Sequence, residues 1–161
     1  MPYFDSTDSE HKKLLPEGIR SDSDLANVAA ESEADVISHY TAPADDTDLH
    51  TSYYSINTRT CTELTDDNGD STGLFVWLRG YTEDPADCTN ARFAAAMRSA
   101  IAAVIAWRHY QRERNPLHAT EAGDAGTFSG FSYRQDAGNP FPPAFERHLQ
   151  NYDTRRPLEV L

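Results

Sequence analysis

Residues Thr89 to Asn115, TNARFAAAMRSAIAAVIAWRHYQRERN, carry the one long unbroken helical pattern of this chain, and the rest must arrange itself around it. Phe93, Met97, Ile101, Val104 and Ile105 form one apolar stripe, and Ala96, Ala100, Ala103, Trp107 and Tyr110 form a second. Both step by three or four residues, so they line neighbouring faces of one α-helix. Alanine fills most other positions, which favours helix and lets other segments approach closely. Pro116 cannot continue a helix and disfavours the α conformation at Asn115, which marks the stop. An element of this span is about 39 Å long. Apolar over so much of its girth, it is expected to be covered on more than one side, by its own chain or by a neighbouring subunit.

Other elements can be placed against it. Within Ser21–Tyr40, the residues Leu25, Val28, Ala29, Ser32, Val36, Ile37 and Tyr40 share one helix face, while Glu31, Glu33 and Asp35 fall mostly off it. Ser23 is the expected N-cap and Pro43 closes the element. Gly73–Tyr81, GLFVWLRGY, reads as a strand, with Leu74, Val76 and Leu78 on one face and Phe75 and Trp77 on the other. Asp66-Asp67-Asn68-Gly69-Asp70 is turn chemistry, so Thr58 to Tyr81 is expected to form a β-hairpin. Phe128–Arg134 suits an extended segment, and Ala144–Gln150 a short helix opened by Pro143. The expected fold class is α+β and helix-dominated: a small helical bundle around the 89–115 helix, with a β-hairpin and extended arms. Residues 1–20 form an N-terminal arm, which either anchors through Tyr3, Phe4, Leu14 and Leu15 or moves freely. Residues 21–118 form the core, with the hairpin insert at about 53–81, and 119–161 form a C-terminal extension.

Candidate chemistry is sparse. Asp66, Asn68 and Asp70 have the one-three-five spacing of a calcium loop, but Ser71 and Trp77 stand where that loop needs Gly and Glu. A plain turn is expected there. The six histidines (11, 39, 50, 109, 118 and 148) and two cysteines (61 and 88) show no metal-ligand spacing. No nucleophile elbow, phosphate loop or dinucleotide fingerprint occurs, and the carboxylates are not set in apolar sequence. No catalytic role, metal or cofactor is expected. Arg108, His109, Arg112, Arg114 and His118 cluster at the long helix's end, either complementing its dipole or offering an anchor to an acidic partner. With 26 acids against 14 bases the chain carries a net charge of -12. Such a surface does not grip nucleic acid, although DNA could slide past it. No apolar run of about 18 residues is present, so no membrane span is expected.

The order of these segments resembles a known family. A short amphipathic helix (DLANVAAESEADVISHY) precedes LFVWLRGY, then an Ala-rich helix ending in WRHYQRERNP, then GFSYRQDAGNPFPPAFERHLQNYDTRRP. The chain resembles, over most of residues 21–157, the head–tail connector (adaptor, or head-completion) proteins of tailed bacteriophages. The segment order carries that resemblance, and the polar stretch 44–73 matches no part of it. The resemblance implies a virion protein that forms a ring, typically dodecameric, beneath the portal protein. The ring would extend the DNA channel and dock the next neck or tail component, at the head–tail interface of a particle assembled in the host cytoplasm. It further implies a C-terminal segment that reaches the portal, carried here by Tyr152, Arg155, Arg156, Leu158, Val160 and Leu161. Subunit contacts are expected at Ala96, Ala100, Ala103, Trp107, Phe75 and Trp77. The alternative is a soluble acidic module that captures a basic partner protein.

Overall fold

The computed structural model describes residues 2–43, 61–113 and 145–154. Expectations for Thr58–Thr60, the 44–57 stretch, Phe128–Arg134 and the Pro140–Pro143 entry lie outside those residues, as do Arg114, His118 and positions 155–161.

The architecture is α+β. Two single-turn helices, α1 (Ser9–Lys12) and α2 (Glu17–Arg20), lead into α3 (Leu25–His39). Strands β1 (Thr41–Pro43), β2 (Thr62–Thr65) and β3 (Ser71–Val76) follow, then the long helix α4 (Ala91–Glu113) and a 3-10 turn at Phe145–His148.

Helix α4 is about 35 Å long and starts two residues later than the pattern suggested. Its start is set by Asn90, whose side-chain oxygen accepts the Phe93 amide at 3.1 Å. That satisfies one of the amides a helix leaves unpaired at its N-terminus. All five residues of the first stripe, Phe93, Met97, Ile101, Val104 and Ile105, are fully buried. Helix α3 lies antiparallel to it and buries Leu25, Ala29, Ser32 and Val36. The buried Ser32 hydroxyl donates to the Val28 carbonyl at 2.6 Å, so the polar group costs little in the core. Ser23 does not cap this helix. The cap position is Asp24, and its amide donates to Asp22 Oδ1 at 2.9 Å.

The sheet has the order β1-β3-β2, antiparallel throughout. The β2–β3 hairpin closes on the Asp66–Asp70 turn, where Asp66 Oδ1 accepts the amides of Asn68 and Asp70. Its register jumps between Glu63↔Phe75 and Thr65↔Ser71, which is a bulge on β3. Gly73, with φ of 75°, supplies the left-handed conformation that the bulge needs. Strand β1 was not legible in advance: three residues with a proline are too short for an alternation to show. It lies at the sheet edge, where a missing amide is tolerated. β3 is also not uniformly covered. Leu74 is exposed and Phe75 half-buried, whereas Val76 and the following Trp77 and Leu78 are fully buried.

The N-terminal arm is docked. Tyr3 and Phe4 are buried, and the Tyr3 hydroxyl donates to the Thr82 carbonyl at 2.9 Å. The Tyr3 ring stacks on Tyr81 and meets Phe93 edge-on.

Candidate interaction surfaces

The basic end of α4 is spent within the chain. Arg112 reaches Asp22 at 2.6 Å and Asp24 at 3.2 Å, and His109 lies 3.5 Å from Asp22. Arg108 pairs with Glu31 at 3.2 Å and with Asp35. These pairs join α4 to the start and the outer face of α3, a use that neither expectation for this cluster included. They fix the antiparallel register of the two helices more than they add stability, since solvent screens ion pairs at a protein surface.

Glu33 is the second unforeseen side chain. It was expected off the apolar face and in no apolar setting, yet it is half-buried beneath the arm. Its carboxylate accepts the Tyr3 amide at 2.9 Å and the Phe4 amide at 3.4 Å. Burial raises its pKa above the ordinary 4.5, and the two amides bring it part of the way back. The folded state thus holds this proton more tightly than the unfolded chain does. Glu33 contributes stability fully below 4.5, and that contribution is lost as pH rises through the raised value. Asp22 behaves oppositely: the Asp24 amide and Arg112 lower its pKa, so its contribution is lost in acid. Comparison with Glu33→Gln isolates the first effect, since Asp22 is common to both proteins. The wild type should gain melting temperature on the variant between about pH 7 and about pH 4. A difference that stayed constant with pH would mean that the carboxyl is not desolvated.

The residues expected at subunit contacts divide into two groups. Ala100 and Trp77 are fully buried in the single chain, and the Trp77 indole N–H donates to the Ala42 carbonyl at 3.1 Å. Their surfaces are therefore occupied internally. Ala96, Ala103, Trp107 and Phe75 are only partly covered. Ala103 and Trp107 line, with Pro16, Gly18, Ile19, Ala106, His109 and Tyr110, an open cleft of about 520 Å³ between α2 and α4. The second stripe of the long helix pointed to the α4 side of this cleft. The α2 side had no signal beyond the apolar pair before Pro16.

Of the tail residues, Tyr152 alone lies within the described residues, and it packs edge-on against Phe93 with ring centroids 5.3 Å apart. The chain around it makes an isolated antiparallel bridge, with Asp153 opposite Leu78 just beyond the end of β3. Arg79 donates its amide to the Tyr152 carbonyl at 2.8 Å, and Thr154 donates to the Trp77 carbonyl at 3.0 Å. Among the described residues no cluster of His, Cys, Asp or Glu could hold a metal ion, and no helix is long and apolar enough to cross a membrane. Comparison with protein-family models, with curated proteins and with solved structures finds no match to this chain.

Proposed function

We propose that this chain is a structural protein of a tailed-phage virion, an adaptor whose copies form a ring that joins the portal to the neck or tail. In this reading a helical body built on α4 packs against its neighbours, and the segment after Thr154 reaches the portal. Genome DNA passes through the ring without specific binding, and the chain carries out no chemistry of its own. The observation that carries the reading is the open apolar cleft on α4. A helix that fills one face with its own core and leaves Ala103, Ala106, Trp107 and Tyr110 around a cleft has surface to offer a neighbour. The resemblance in segment order and the acidic surface support the same reading, since a net charge of -12 disfavours retention of DNA.

The contacts of residues 152–154 decide where the tail can be removed without harm to the body. Tyr152 packs on Phe93 and Thr154 is bonded to Trp77, so a cut at Asn151 would damage the core. Deletion of 155–161 leaves both contacts in place. The truncated protein should keep its helical circular dichroism and lose binding to the portal. Undiminished portal binding would remove the tail from the mechanism.

A further inference from the structure

Among the described residues three large apolar side chains stand well exposed: Leu14 at 48%, Leu74 at 39% and Tyr110 at 38%. Tyr110 lines the cleft between α2 and α4, and Leu14 stands two residues before Pro16, which also lines it. Leu74 is elsewhere, on β3 of the hairpin, opposite Pro43. Helix α3 separates the two places. The cleft lies where α2 leads into its N-terminus, and the hairpin pairs with β1, which follows its C-terminus. At 15 residues α3 is about 22 Å long, so a chain cannot seat its own hairpin in its own cleft.

Charge divides the same way. Residues 12–20 beside the cleft hold three bases, Lys12, Lys13 and Arg20, against the single acid Glu17, in a chain that is otherwise strongly acidic. Arg20 donates to the carbonyls of Leu15 and Lys13 and has no carboxylate partner among the described residues, while Lys13 has an exposed partner in Glu10. Residues 62–71 of the hairpin hold four acids, Glu63, Asp66, Asp67 and Asp70, and no base. Each place thus presents what the other lacks: an apolar cleft beside bases, and a protruding leucine beside acids.

We infer that the cleft is the docking site for the β2–β3 hairpin of a second copy of this chain. Leu74 enters between Trp107 and Tyr110, and the acidic turn lies over Lys12, Lys13 and Arg20. Apolar burial supplies the attraction, and opposite charges set the orientation. The two surfaces are different patches, so the contact is heterologous. Repeated copies close into a ring if the rotation allows and otherwise extend as a filament. The ring outcome rests on the adaptor reading, whereas the contact itself needs no portal.

Cysteine cross-linking tests the contact, because it traps weak association. In a Cys61→Ser, Cys88→Ser background, Asn68→Cys in the turn and Glu17→Cys beside the bases are placed in one chain, which keeps Leu74, Trp107 and Tyr110. Both positions are exposed, so the fold tolerates the changes, and circular dichroism confirms it. The protein is oxidised at high concentration, alone and with a portal ring, and run without reductant. The double variant should give a ladder of trimers and larger species, and each single variant should stop at dimers. Asp67→Lys with Asp70→Lys should abolish the ladder, and adding Lys12→Glu with Lys13→Glu should restore it. Asp66 is left alone because it holds the turn. A ladder without portal binding would uphold the contact and sink the adaptor reading. Portal binding without a ladder would do the reverse, and the absence of both would overturn both. A ladder indifferent to the charge reversal would overturn the hairpin's seating on the bases.

Discussion

Phe93→Ala should lower the stability of the folded chain by about 3–5 kcal/mol, among the largest losses expected from one substitution here. Phe93 is fully buried at the first turn of α4, and three separate parts of the chain meet it. Tyr3 of the arm approaches its ring edge-on at 5.9 Å, and Tyr152 of the C-terminal segment does so at 5.3 Å. Gly80, after the sheet, lies so close that an added Cβ would touch the Phe93 side chain at 3.4 Å. Truncation removes the transfer energy of the ring and leaves a cavity whose walls belong to segments far apart in sequence, so collapse around it is poor. The check is chemical denaturation of wild type and variant. Loss of a few kcal/mol should appear as an earlier midpoint with a similar slope. A loss below about 1 kcal/mol would mean that the arm and tail do not converge on this ring.

Phe4→Ala should cost about as much, about 3–5 kcal/mol, although Phe4 lies in a segment whose sequence is compatible with a mobile arm. The side chain is 1% exposed and its ring meets His11 at 5.7 Å. Its amide is one of the two held by Glu33, and the next amide, of Asp5, donates to His11 Nδ1 at 2.8 Å. The arm is thus fixed at consecutive residues by apolar burial and by backbone bonds. Were it mobile, the substitution would change the melting temperature by almost nothing, since a solvated phenylalanine has no packing to lose. The two outcomes differ by several kcal/mol, which a single denaturation curve resolves.

These two sites show which parts of the fold were legible and which were not. The spacing of Phe93, Met97, Ile101, Val104 and Ile105 announced a buried helix face because a helix repeats its own geometry every few residues. Leu25, Ala29, Ser32 and Val36 announced the second face for the same reason, and Asp66–Asp70 named its turn through local side-chain bonding. Nothing local announces that Tyr3 reaches Thr82, or that Glu33 receives two amides of the arm. Those contacts join residues about 30 and 79 positions apart, and their energy appears only after the chain has closed. The interhelical pairs of Arg108 and Arg112 escaped for that reason too. At the candidate interface, the second stripe on α4 pointed to Ala103 and Trp107, but it could not tell them from Ala100, which the chain's own core covers. Trp77 was likewise placed on a strand face open to a neighbour, whereas β1 and the Ala42 carbonyl occupy it. Position on a stripe gives a direction, and only the packed neighbours decide whether that direction ends in solvent.

The adaptor role proposed above requires ring formation at a portal. The direct measurement mixes the protein with the portal ring that the proposal assigns to it and follows mass by size-exclusion chromatography with light scattering, with electron microscopy of the complex. One complex heavier than the portal is expected, with a second ring stacked coaxially beneath it. That ring should be lost when Ala103→Glu places a charge in the cleft, while the monomer's helical circular dichroism is kept. A protein that elutes apart from the portal at every concentration tried, and binds basic proteins instead, would contradict the adaptor role and return the chain to the acidic binding module.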